Sequence, residues 1–281
     1  MNIFKVSVFF VCFVFSTSVF AQKMKAEDVL AKHLESIGTA EIRASIKTQI
    51  VVGDALVKFI SPRNTDVQGR IVLASAAEKN FLGMSLNAIE YPQEKFSFDG
   101  KNAKVGFIKD GFRSKLGNFV VANDLLLEES LLGGTLSTSW ALLDVAAKKP
   151  KLSFDGTKKI DGKEVYVLSY SPKGGGDVEI KLYFDKETFR HVRTEYKRTS
   201  SAAIGLRPEQ SSGFSESRLK ITEDFSDFKA EKGLTLPHSY RLLYSTIGQN
   251  GTTEIQWNFN LTEFSFNQNL APNTFVVEAN N

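Results

Sequence analysis

The fold is decided by residues 161–197, whose sequence is DGKEVYVLSYSPKGGGDVEIKLYFDKETFRHVRTEYK. A side-chain period of two indicates a strand with one buried face. Four apolar residues show this period and alternate with polar or mixed ones: Val178, Ile180, Leu182 and Phe184. Residues 171–177 and 185–188 carry the Gly, Pro and Asp that are typical of tight reversals. The stretch therefore predicts sequential antiparallel strands in a sheet that is apolar on one side.

Strand patterns of the same kind occur on both sides of this stretch. They are short runs of β-branched and aromatic residues between turn signals: 49–52, 55–60, 69–74, 80–87, 95–98, 104–108, 218–228, 235–244 and 254–266. In the run 80–87, alternation places Leu82, Met84 and Leu86 on one face. The dipeptide Gly53-Asp54 is typical of a turn between the first two runs. Most of the chain is therefore expected to be antiparallel sheet.

Four helices are expected to accompany this sheet. Spacings of three and four predict a helix over 25–37 and a second one over 39–46. Residues 125–132 and 137–147 flank a double glycine and predict a Leu-rich helical pair. Its apolar density exceeds what one thin stripe needs, so the pair is expected to lie across the open face of the sheet. A plain core helix, with no ligand, is compatible with the same pattern.

The order of these elements predicts an α+β fold in which a strongly curved antiparallel sheet, an unclosed half-barrel, wraps around a few helices. There is too little helix to cover a flat sheet of this width. A curled sheet solves the problem and leaves a cavity that apolar ligands can share. Residues 22–281 are expected to form one domain, with a flexible insertion at about 198–217 that is rich in Ser, Gly and charge.

The amino terminus has the pattern of a secretory signal peptide, residues 1–21. Lys5 precedes an apolar run that is too short for a membrane anchor, and Val19-Phe20-Ala21 predicts cleavage after Ala21. The single cysteine, Cys12, lies inside this segment, so no disulfide is expected after cleavage. An exported chain without disulfides is more common in bacterial envelopes, which predicts a periplasmic or secreted protein.

Composition and motifs predict neither nucleic-acid binding nor catalysis. The net charge is only +3, and the sequence has no paired cysteine motif, phosphate loop or nucleophile elbow. His33 lies on the buried stripe of the first helix, far in sequence from His191 and His238, and so is interpreted as a core imidazole. Glu223 and Asp224 are interpreted as alternating charges on a strand rim rather than as paired carboxylates. We expect no enzyme, no metal and no cofactor.

Four segments carry a resemblance to a known family. They are AEDVLAKHLESIGTAEIRASIKTQIVVG near the start, the central hairpin DGKEVYVLSYSPKGG with EIKLYFDKETFRHVRTEYK, the segment EDFSDFKAEKGLTLPHSYR, and the ending WNFNLTEFSFNQNLAPNTFVV. Together they resemble bacterial outer-membrane lipoprotein-sorting proteins, which are similar to the periplasmic lipoprotein carriers of the LolA and LolB type. The chain departs from the dedicated carriers in its greater length and in the segment at 198–217.

The resemblance implies an unclosed half-barrel with a helical lid and an apolar cavity that shields acyl chains. It implies lipid binding and transport, a chaperone-like carrier of lipid or lipoprotein acyl chains, and a membrane-bound donor or acceptor protein as partner. An envelope sensor that acts through protein contacts is the alternative, and an envelope hydrolase is a third. The residues expected to line the cavity are Leu82, Met84, Leu86, Leu126, Leu131, Leu132, Trp140, Val178, Ile180, Leu182 and Phe184.

Overall fold

The computed structural model describes residues 24–62, 64–200, 217–248 and 251–278. The helices are α1 Ala26–Ile37, α2 Ala40–Ser45, α3 Lys115–Val121, α4 Leu125–Glu128 and α5 Val145–Lys148. The strands are β1 Thr48–Ser61, β2 Thr65–Ala76, β3 Lys79–Leu86, β4 Gln93–Phe98, β5 Ala103–Val105, β6 Lys151–Ile160, β7 Lys163–Ser171, β8 Glu179–Asp185, β9 His191–Ser200, β10 Ser217–Glu231, β11 Leu234–Gly248 and β12 Gly251–Phe266. The expected signal peptide lies outside the described residues.

All the strands belong to one antiparallel sheet. Its order is β5-β4-β3-β2-β1-β12-β11-β10-β9-β8-β7-β6. Two sequential meanders, one of five strands and one of seven, are joined by the pairing of β1 with β12. The terminal strands β5 and β6 each have one neighbour in this order, so the sheet is open.

The central prediction from residues 161–197 is confirmed, with one correction. Strands β7, β8 and β9 are consecutive neighbours, and 171–177 and 185–188 fall in the connections between them. Val178, however, lies one residue before β8 and is only partly buried. Of the insertion expected at about 198–217, residues 198–200 and 217 lie in β9 and β10, and 201–216 lie outside the described residues.

One local prediction about the strands is wrong, and one strand was missed. Gly53 does not turn the chain but lies inside β1 at a register shift, where a Cβ would stand 2.2 Å from the carbonyl oxygen of Asn260. Only glycine therefore allows β12 to approach so closely. Residues 151–160 form the edge strand β6, which was not predicted because most of its side chains are exposed and only Leu152, Phe154 and Ile160 are large and apolar.

The expected α+β class is also corrected, because the protein is mainly β. The two amino-terminal helices are confirmed, but the predicted helices 125–132 and 137–147 are reduced to short helical turns. Ser130, Gly133 and Gly134 have φ values of 49°, 82° and 52°. Because an α-helix cannot continue through left-handed residues, this segment instead becomes an irregular connection with two 3₁₀ turns, Gly134–Leu136 and Ala141–Leu143.

This irregular connection, residues 125–148, crosses one face of the sheet. The amide of Asn80 in β3 donates to the carbonyl oxygen of Leu127 at 2.7 Å, and the Tyr196 hydroxyl of β9 donates to that of Leu131 at 3.1 Å. The main-chain N–H of Thr138 donates to the Ser75 hydroxyl of β2 at 2.9 Å. Side chains of the sheet thus satisfy backbone groups that a regular helix would have paired internally.

Beneath the connection lies one large hydrophobic core. It joins residues of α1 and of the connection to the inner rows of the sheet, and its largest fully buried side chains include Trp140, Trp257, Phe96 and Phe184. Interiors are packed as densely as organic crystals, so each of these side chains is expected to contribute strongly to stability.

We expect Phe184→Ala to lower the free energy of unfolding by about 3 to 5 kcal/mol, because it removes a fully buried ring and leaves a cavity. The matched control is Phe112→Ala, since that ring is 69% exposed and its loss should cost no more than about 0.5 kcal/mol. Urea unfolding followed by circular dichroism measures both. Equal losses would contradict the assignment of Phe184 to the core.

Candidate functional site

The eleven residues expected to line a cavity are brought together by the fold. Ten of them are buried and belong to the main hydrophobic core, whereas Val178 is partly buried against it. In the part of the chain that the structure describes, they are packed side chains, and none lines the apolar pocket at the end of the sheet. Their role in binding a ligand stays a prediction.

The apolar pocket lies where β1, β2 and β12 end beside the connection from β3 to β4. Its volume is about 430 Å³. Phe59 pairs with Ile255, and Val57 pairs with both Val67 and Trp257, so strand register places the walls. The main apolar lining is Phe59, Val67, Tyr91, Ile108, Ile255 and Trp257. Strand patterns in the sequence could not locate this pocket, since its walls come from positions far apart in the chain.

A buried carboxyl organises one wall of this pocket. Glu94 accepts hydrogen bonds from the hydroxyl of Tyr91 and, at 2.9 Å, from the hydroxyl of Ser114. Trp257 Nε1–H donates to the Tyr91 hydroxyl oxygen at 3.1 Å. Ser114 also caps α3 by accepting from the N–H of Gly117 at 2.7 Å. Tyr91, Ser114 and Trp257 line the pocket. The Glu94 network therefore joins the β3–β4 connection, the start of α3 and β12 in one wall.

Burial controls the ionisation of this group. Desolvation raises the pKa of Glu94 to about 7, although the hydrogen bonds from Tyr91 and Ser114 oppose the shift. Desolvation and the neighbouring Glu94 raise the pKa of Tyr91 well above its ordinary value. Around the opening of the pocket the charges are partly paired, with Lys109 Nζ 2.8 Å from Glu90 Oε2. The pocket is therefore an apolar site with one titratable polar wall.

A second buried carboxyl, Glu223, lies in the core beneath the irregular connection. Its oxygens accept from the hydroxyls of Tyr196 and Tyr240 at 2.7 and 2.6 Å and from the N–H of Gly133 at 2.8 Å. Burial raises its pKa to about 7. The interpretation of Glu223 as a rim charge is therefore wrong. Asp224, the next residue, points to the opposite face of the sheet, so the two carboxylates are not paired for catalysis.

Asp224 does match the expected rim charge. It lies between two arginines on the outer face of the sheet, with Arg193 Nε at 2.5 Å and Arg241 Nη2 at 2.7 Å from its oxygens. These groups line a polar pocket of about 670 Å³ that also holds Lys163 and Asp185. Its charges of both signs are interleaved and already paired in part, so the pocket presents no unbalanced charge for a small ionic substrate.

His33 is a core imidazole, as expected, but the fold brings it close to a second histidine. Its Nδ1 is 2.8 Å from the carbonyl oxygen of Phe189, and burial lowers its pKa to about 4. His191, distant in sequence, lies with its ring centroid 6.2 Å from that of His33, and Trp140 stacks on it at 4.9 Å. Burial holds the pKa of His191 well below its ordinary value. Both imidazoles are therefore neutral parts of an aromatic core.

Among the described residues no group of three or more metal-ligating side chains comes together. None of the helices that the structure describes is long and apolar enough to cross a membrane.

Comparison with known proteins finds similarity in structure. An outer membrane lipoprotein-sorting protein domain from Vibrio parahaemolyticus matches 89% of this chain and 97% of its own, with 13% identity and a TM-score of 0.46. A LolA superfamily protein from Nitrosomonas europaea matches 90% and 98%, with 12% identity and a TM-score of 0.47. A DUF1329 family protein from Desulfovibrio piger matches 89% and 97%, with 11% identity and a TM-score of 0.41.

No family model and no curated protein matches the sequence. The structural matches include lipoprotein-sorting and LolA superfamily proteins over about nine-tenths of the chain. With TM-scores below 0.5, these matches carry no argument about function.

The raised pKa of Glu94 predicts a pH-dependent stability difference. Between pH 4.5 and about 7 the unfolded chain releases this proton while the folded chain keeps it, so stability falls as the pH rises through that window. Glu94→Gln cannot ionise. Relative to the parent, its free energy of unfolding should therefore rise by about 3 kcal/mol across the window.

Urea unfolding at several pH values measures this difference. Glu78→Gln, a substitution of an exposed carboxyl in the β2–β3 turn, controls for the chemical change itself. If the curves of Glu94→Gln and the parent run parallel from pH 4.5 to about 7, Glu94 does not titrate in that window.

Proposed function

We propose that this protein is a periplasmic carrier that binds lipid or lipoprotein acyl chains. The observation that carries the proposal is the apolar pocket at the end of the sheet, with its aromatic and aliphatic walls and a volume of about 430 Å³. Sites for small ligands commonly have volumes of about 300 to 1,000 Å³ and mostly apolar linings.

The chemistry of an acyl chain suits this pocket. Each methylene removed from water contributes about 0.8 kcal/mol, and no directional partner is needed. Tyr91 and Trp257 add large apolar surface, while their polar atoms are already engaged in the Glu94 network. A ligand that packs on them therefore leaves no polar group newly unpaired. Binding of this kind is reversible, as a carrier requires.

A longer chain would need space beyond the pocket, and we place that space between the sheet and the irregular connection. Curvature of the sheet is supported by Gly133, which donates to Glu223 of β10 and whose added Cβ would lie 3.1 Å from Leu73 of β2. In a flat sheet, β2 and β10 would be roughly 19 Å apart. The eleven expected cavity residues belong to this connection or are packed beneath it. They would contact a longer acyl chain when the connection moves away from the sheet.

The same geometry favours a carrier over an enzyme. Glu94, the buried carboxyl nearest the pocket, accepts from the hydroxyls of Tyr91 and Ser114, and the Ser114 oxygen in turn accepts from the N–H of Gly117 as the cap of α3, so these groups serve the wall of the pocket. Catalysis is therefore not part of the proposal. Transfer of an acyl chain would involve a donor and an acceptor at membranes on either side of the periplasm.

We expect Ile108→Asp to weaken uptake of a fluorescent fatty acid by at least about tenfold, because a carboxylate would face the apolar interior of the pocket. The matched control is Ile160→Asp, an equally half-buried isoleucine that lines the polar outer pocket instead. Fluorescence titration without detergent measures the dissociation constants, and native mass spectrometry detects the bound mass.

These pocket variants test the site more cleanly than acidic substitutions in the core. Leu131 and Ile180 are 0% and 2% exposed, so a glutamate at either position would unfold the protein before it reported on binding. No uptake by the folded parent protein would overturn the carrier proposal. Equal loss in both isoleucine variants would remove the apolar pocket as its site.

A further inference from the structure

Four large apolar side chains are exposed at the end of the sheet that holds the apolar pocket. Their exposed fractions are 44% for Ile60, 86% for Ile89, 69% for Phe112 and 59% for Ile247. We call these four residues the apolar rim. Isolated exposed apolar residues are ordinary, but a group of them at one end of a sheet marks an interaction surface.

The strands bring the apolar rim to one end of the sheet. The end of β1, the connection after β3 and the β11–β12 hairpin meet there because the strands are antiparallel. Three rim residues are neighbours in the chain of pocket-lining residues: Ile60 lies between Phe59 and Ser61, Ile89 between Ala88 and Glu90, and Phe112 before Arg113. Ile247 pairs with Thr252 and so lies at the same end of the sheet but on the face opposite to Thr253.

The distribution of charge distinguishes a membrane from a protein as the partner. The rim residues come from the ends of β1 and β11 and from the connections β3–β4 and β5–α3, and charged residues lie close to them in the chain. Lys109 pairs with Glu90 at 2.8 Å, and Lys58 pairs with Asp66 at 3.8 Å. The centre of a protein interface is depleted in charged residues. At a bilayer, by contrast, apolar tips enter the hydrocarbon while lysines remain among the headgroups.

We propose that this end of the sheet docks on the surface of a phospholipid bilayer, with Ile89 and Phe112 inserted between the lipids. Two lysines at this end, Lys109 and Lys58, are paired with acids, so the apolar tips rather than net charge are expected to carry docking. The purpose of docking rests on the proposed function, because a pocket that opens towards the membrane receives an acyl chain without exposing it to water. Docking itself needs only the apolar rim.

The test is flotation of the mature chain with phosphatidylcholine vesicles. We expect the parent to float with the vesicles and Ile89→Ser/Phe112→Ser to lose at least about tenfold in partitioning, since two apolar anchors are removed. The matched control is Val121→Ser/Val276→Ser, because these exposed valines, at 46% and 56%, do not line the pocket. All four positions are exposed, and circular dichroism checks that each variant folds.

A tryptophan probe locates the inserted residue. The described tryptophans Trp140 and Trp257 are buried at 0% and 1% exposure, so Phe112→Trp would add an exposed one. Its emission should shift to the blue with vesicles and be quenched by lipids that carry a quencher on the acyl chain. Absence of both changes would overturn the insertion of Phe112.

Two variants separate docking from ligand binding. Ile108→Asp should lose fatty-acid uptake and still float, whereas the double serine variant of the rim should take up fatty acid from water and not float. Equal flotation of the rim variant and the parent would overturn the proposal. So would a parent that does not float but self-associates through the rim, because the surface would then be a protein interface.

Discussion

One apolar face of a twelve-stranded sheet must be shielded from water, and the chain does this mainly with an irregular connection rather than with long helices. An irregular backbone leaves N–H and C=O groups without internal partners, and each such group is costly when it is buried. The sheet supplies the missing partners through Asn80, Ser75 and Tyr196. The core and the position of the connection depend on these side-chain contacts as much as on apolar packing.

Two buried glutamates show the same principle at different places. Glu223 accepts from a main-chain N–H of the connection and from two tyrosines, and Glu94 accepts from the wall of the apolar pocket. Both have a pKa raised to about 7 by burial. A buried carboxyl fixes neighbouring elements in place, but its ionisation carries a desolvation cost. Glu223 therefore positions the cover of the sheet, and Glu94 positions the mouth of the pocket.

The pocket and the apolar rim extend this arrangement to function. The pocket lies at the end of the sheet where Tyr91 and Trp257 meet, close to Glu94, and the exposed rim residues lie at the same end of the sheet. An apolar interior that opens beside exposed apolar tips forms a continuous path of low polarity. This path is the physical reason to connect acyl-chain binding with a membrane surface.

Much of the sheet was determined by the sequence itself, because strand alternation and turn chemistry are local. The strands around Ile180 and Leu82, helix α1 and the burial of His33 all follow from patterns a few residues long. Local patterns did not predict the edge strand β6, the role of Gly53 or the inward side chain of Glu223, because these features depend on strand pairing and on position in the sheet. The candidate cavity residues were found as a cluster but lie in a packed core. Only the tertiary structure decided where the pocket lies, since residues as distant as Phe59, Ile108 and Trp257 meet only when β1 pairs with β12 in one register.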